Sequence, residues 1–126
     1  MQTAFALDDA RLIARMTVSG TYVHEGVVAL LERLQAERAW GYGVLFDMRT
    51  LDVQPTSADL ARVTETIAGM STEEKRGPLA LLVREGEQYA RACAYWALGK
   101  NRGRDIDIFR HPDEAEEWLR EQLGTS

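Results

Sequence analysis

The chain has 126 residues, 45% of them hydrophobic and 28% charged, with a formal net charge of −5 at pH 7. That length and apolar content suit one domain with a continuous core that needs neither disulfides nor metals. The acidity excludes a general nucleic-acid binder, because neutralising phosphates takes clustered Lys and Arg.

In chain order, Thr3–Leu7 and Leu12–Val18 read as two strands. Asp8-Asp9 supplies the turn chemistry between them, so an antiparallel hairpin is expected. After Gly20, Thr21 is the expected cap of a helix. Val23, Val27, Leu30, Leu31 and Leu34 fall on one face at helical spacing, opposite Glu32, Arg33, Glu37 and Arg38.

Val44-Leu45-Phe46 is a short apolar run ending in Asp47, the pattern of a strand covered on both faces. Pro55-Thr56-Ser57-Ala58-Asp59 opens the next helix, with Thr56 and Asp59 spaced as a capping box. Its expected buried stripe is Leu60, Val63, Ile67 and Met70. A polar connection, Ser71–Pro78, leads to a second wholly apolar strand, Leu79–Val83.

Glu87–Gly99 reads as an alanine-rich helix with Tyr89, Ala92, Cys93 and Trp96 on one face. Gly99-Lys100-Asn101-Arg102-Gly103 reads as a turn. Asp105–Phe109 alternates, as an edge strand does. Pro112 and the acids Asp113 and Glu114 suit the first turn of a last helix, which Gly124 ends. The order is ββαβαβαβα in one domain over residues 1–126. The fold class expected is α/β: a single-layer, five-stranded, mostly parallel sheet with an N-terminal antiparallel hairpin and helices on both faces.

Chemistry-bearing patterns are sparse. Cys93 is the single cysteine, so an intrachain disulfide is ruled out; that fits a reducing cytosol. Met1–Phe5 shows no basic region followed by an apolar run. No apolar stretch nears the roughly 20 residues that span a bilayer. A cytoplasmic chain without a transmembrane segment is expected. His24 and His111 each stand at a helix start, where isolated histidines are usually surface or capping residues. No His-x-x-x-His or Cys-x-x-Cys spacing suggests a metal, and no Gly-rich phosphate loop or nucleophile elbow suggests a cofactor or a reaction.

Three strands end in arginine: Arg49, Arg84 and Arg110. They are candidates for anion or ligand binding at the carboxyl edge of the sheet, where open α/β sheets bind ligands. The alternative is that each pairs with a neighbouring acid, such as Asp47, Asp52, Glu85 or Asp113. Tyr89, Tyr95 and Trp96 exceed what one helix face hides and are candidates for an apolar pocket or an interface.

The chain resembles the SpoIIAA-like family, relatives of the STAS domains. The likeness rests on Ser19-Gly20-Thr21, on Val44-Leu45-Phe46-Asp47-Met48-Arg49, and on Ile106-Asp107-Ile108-Phe109 with Asp113-Glu114-Ala115 and Trp118-Leu119. It implies a STAS-type fold and a non-catalytic module that acts through a protein partner or a small ligand. The alternative it implies is an apolar-ligand or lipid-binding protein beside membranes, and a homodimer is compatible with both. In anti-sigma antagonists of this family a serine at the start of the second helix is phosphorylated. Ser57, with Thr56 beside it, takes that place here, without the family's flanking aspartate and glycine.

Overall fold

The computed structural model describes residues 1–70, 74–100 and 105–124, and within these the side chains at 95, 96 and 98–100 are outside the description. The elements are β1 (Gln2–Asp8), β2 (Ile13–Thr21), α1 (His24–Ala36), β3 (Gly43–Val53), α2 (Ser57–Gly69), β4 (Leu79–Leu82), α3 (Glu87–Lys100), β5 (Ile106–Phe109) and α4 (Pro112–Leu123). They form one five-stranded sheet in the order β1-β2-β3-β4-β5. The β1–β2 pair is antiparallel and the other pairs are parallel, as the alternation of the sequence predicts.

This order fixes where the helices go. Each crossover from β2 to β5 steps one strand in the same direction, and right-handed crossovers then place α1, α2 and α3 on one face. Alternate residues of the strands divide accordingly. Ala14, Met16, Val44, Leu79 and Leu81 face a core shared with Leu30, Leu34, Val63 and Ala92 of those helices. Ile13, Leu45, Ala80 and Leu82 face α4, which covers the second face through Ala115 and Leu119. Phe109 and Trp118 close that side with ring centroids 5.6 Å apart.

Several boundaries depart from the sequence reading. Leu12 is not in a strand: its φ of 60° puts it in the turn, and Asp8 Oδ1 accepts from Arg11 N at 3.1 Å. β2 runs on to Thr21, so Thr21 does not cap α1; Val23 holds the cap position without a side-chain hydrogen bond. Val23 is exposed, and His24 takes its place on the buried stripe. His24 is thus a packed residue, not a surface one, and its Nε2 lies 3.3 Å from Thr66 Oγ1 of α2. β3 is much longer than the Val44–Phe46 run. Its second half pairs only with the extended end of β2, through register shifts between Thr17 and Ser19 and between Gly20 and Thr21. The connection at 71–73 and most of the turn at 101–104 lie outside the described residues.

Candidate functional site

At the carboxyl edge of the sheet, the second half of β3 and its tail meet the starts of α2 and α3. The capping box expected at α2 is formed: Thr56 Oγ1 accepts from Asp59 N at 3.1 Å, and Asp59 Oδ2 accepts from Thr56 N at 2.8 Å. That backbone hydrogen bond is the main reason the Asp59 carboxyl is held below its ordinary value of 3.8. Ser57 follows as the first helical residue and is exposed, with its hydroxyl outside the box.

The three arginines gather at this edge, each already engaged. Asp47 holds Arg49 in a two-point pair at 3.0 and 2.9 Å, which raises the guanidinium above its ordinary range. Arg84 donates to the carbonyls of Arg49 and Leu51, the latter at 3.0 Å, and so pins the bulged tail of β3. Arg110 pairs with Glu85 and lies over the ring of Tyr89, 5.2 Å from its centroid. Tyr89 itself is exposed. The side chains of Tyr95 and Trp96 are outside the described residues.

Sequence reasoning misses the centre of this network. Gln88 is 3% exposed. Its Oε1 accepts from Arg84 N at 2.7 Å; its Nε2 donates to Met48 O and Gln54 Oε1, both at 2.8 Å. Gln54 donates onward to Leu51 O, and Arg91 donates to Pro55 O at 2.7 Å. Gln88 precedes Ala92 by four residues and shares its buried face, but a polar residue there carries no mark of burial in the sequence.

Behind this edge lies a cavity of ≈ 80 Å³, partly open to solvent, between the sheet and α1–α3. Val44, Phe46, Leu79 and Leu81 form its floor, Leu30 and Leu31 one wall, and Leu60, Val63 and Ile67 of α2 its roof. Of α2, Val63 alone is fully buried; Leu60, Ile67 and Met70 are half-buried, not the closed stripe expected from the sequence. The helix leans chiefly on α1. The lining is largely apolar and partly wet, so an apolar occupant would remove that surface from water. Among the described residues, no group of three or more His, Cys, Asp or Glu side chains is placed to hold a metal ion. Nor is any helix long and apolar enough to cross a membrane.

The chain is similar to the crystal structure of an anti-sigma factor antagonist from Mycobacterium paratuberculosis, with a TM-score of 0.60 over 94% of this chain and 93% of that one. The two share one fold. Sequence identity is 19%, so the likeness is one of architecture. No protein-family model matches the chain, and no curated protein matches it. In the fold seen here, the start of α2 is the exposed, polar corner, and the cavity under the same helix is the apolar one.

Proposed function

We propose that the chain is a non-catalytic regulatory module that acts through a protein partner. The observation that carries this reading is the start of α2: a capped helix N-terminus with an exposed hydroxyl, Ser57, at the rim of a polar edge. The named neighbour, an anti-sigma factor antagonist, supports the same reading. Among the described residues, the polar groups of the edge are largely satisfied by one another, which favours recognition over catalysis.

The surface assigned to the partner is the first turn of α2 with Arg49, Arg84 and Arg110. The ion pair of Arg110 with Glu85 is at the surface, whereas that of Arg49 with Asp47 is partly buried. A surface pair contributes about 0–1 kcal/mol, so an acidic partner can take over Arg110 more readily than Arg49. Phosphorylation belongs at Ser57 and not at Thr56, whose hydroxyl the capping box uses. A phosphate on Ser57 meets the helix N-terminus favourably but also the Asp59 carboxylate, which repels it. The test is size-exclusion chromatography of the purified chain with each anti-sigma factor encoded in the same genome. A stable complex with one of them, broken by Ser57→Asp, is expected; no complex with any of them overturns the proposal.

The cavity favours a second reading, in which the chain binds an apolar small molecule between the sheet and α2. Native mass spectrometry of protein purified from its own cells is then expected to show a bound apolar species that leaves on organic extraction. A spectrum of bare protein throughout overturns this reading.

A further inference from the structure

We infer that the cavity under α2 takes an aliphatic chain ending in a single carboxylate, with α2 as the lid under which it enters. This rests on the apolar-ligand reading above. The walls select the body of the ligand. They are mostly Val, Leu, Ile and Met side chains, with Gln54 at the carboxyl side and Phe46 and Tyr22 as the only aromatic side chains lining the cavity among the described residues. Branched and flexible walls suit a narrow, flexible chain better than a flat ring system.

Charge selects the head. Among the described residues, the charged side chains lining the cavity are Arg76 and Arg91, and no carboxylate lines it. The two lie at opposite ends. Arg76 precedes β4 on the amino side of the sheet and stacks over Trp40 at 4.4 Å. Arg91 stands at the carboxyl side, where its Nη1 donates to Pro55 O just before α2. Its remaining partner is Glu87, at 2.8 and 3.2 Å, whose side chain is 74% exposed. A surface pair of this kind is weak. A ligand carboxylate at the mouth replaces it with a two-point, charge-assisted pair.

The lid follows from how α2 is held. Val63 is its one fully buried residue. Among the described residues its polar ties to the rest of the fold include Arg91 to Pro55 O ahead of the first turn, His24 Nε2 with Thr66 Oγ1 at 3.3 Å, and Gln35 Nε2 to Met70 O at 3.0 Å behind the last turn. Tilting the helix away from the sheet gives up these ties and the packing of Ile67 and Met70, and the arginine that would hold the head group also latches the lid.

The test uses the full chain, with butanoic acid and butan-1-ol, short enough for the cavity, as probes in isothermal titration calorimetry. Butanoic acid is expected to bind at least several-fold more tightly than the alcohol. Arg91→Gln is expected to weaken the acid about ten-fold and the alcohol far less, while Arg91→Lys, which keeps the charge but loses the two-point fork, is expected to recover only part of the acid's affinity. Ala92→Leu fills the cavity and is expected to abolish both, with its thermal transition showing that it remains folded. Hydrogen exchange of residues 57–69 is expected to slow on binding. If neither probe binds, the apolar-ligand reading fails. If both bind alike and Arg91→Gln changes nothing, the carboxylate inference fails while that reading stands. Exchange in 57–69 that ignores the ligand overturns the lid.

Discussion

Gln88 uses all the hydrogen-bonding directions its burial leaves it. One oxygen and one nitrogen satisfy Arg84 N, Met48 O and Gln54 Oε1, and the side chain is almost wholly removed from water. Gln88→Leu keeps the volume and strands a backbone N–H and a carbonyl in a dry place. Each orphan costs about 1–3 kcal/mol, so a loss of about 2–6 kcal/mol in urea unfolding is expected. A loss below about 1 kcal/mol would mean that water reaches both groups and that the edge is looser than described. Gly77 illustrates the opposite kind of constraint. A Cβ there would run into the carbonyl oxygens of Gly41 and Tyr42, where the chain leading into β4 crosses the one leading into β3. At this scale the sequence speaks only when the partner is close in the chain. The Thr56–Asp59 box and the Gly124 cap, with its φ of 70°, are local and legible. The burial of His24 and Gln88 depends on α2 and β3, more than twenty-five residues away in each case, and a polar residue on a buried stripe reads as a surface one.

Helix α2 holds less of the core than its sequence suggests, and that sets its dynamics. Thirteen residues with one fully buried side chain are stabilised largely by local terms, the cap foremost. Amides 57–69 are expected to exchange faster than those of Leu79–Leu82, all of which are buried. Thr56→Ala removes about 1 kcal/mol of capping and is expected to speed exchange across 57–69 about five-fold, leaving 79–82 unchanged. Equal acceleration in both segments would show that α2 opens only with the whole domain. The same helix marks the limit of reading elements from sequence. Leu60, Val63, Ile67 and Met70 have the right period for a buried stripe, and the period says nothing about how far the stripe stands from the sheet. The cavity is therefore invisible until the layers are assembled. β3 fails for a related reason. Its first half is apolar on both faces and announces itself, whereas Arg49–Val53 is a strand only because the end of β2 lies beside it.

Across the molecule, the consecutive strand order crowds three helices onto one face and leaves α4 to cover the other. Carboxylates bind these layers at two points. Asp8 holds Arg11 and Arg15, and Arg15 reaches Glu116 of α4, so the hairpin is tied to the far helix. Asp59 closes the box that starts α2 on the near face. Both carboxyls are held below their ordinary value of 3.8, Asp8 chiefly by the Arg11 side chain and Asp59 chiefly by the Thr56 backbone. A carboxyl whose pKa is lower folded than unfolded binds fewer protons in the native state. Its stabilisation is therefore complete above the unfolded value and is lost as the pH falls through the folded one. Both layers should thus loosen below about pH 4, while the net charge leaves −5 and turns positive. Urea unfolding of the wild type and of Asp59→Ala across acidic pH separates the two effects. At pH 7 the variant is expected to be the less stable. The gap should close as the wild-type carboxyl becomes protonated, because a protonated Asp59 no longer holds the Thr56 amide as an anion. A gap of constant size down to about pH 2 would mean that the box is held by the geometry of the turn and not by the charge of Asp59.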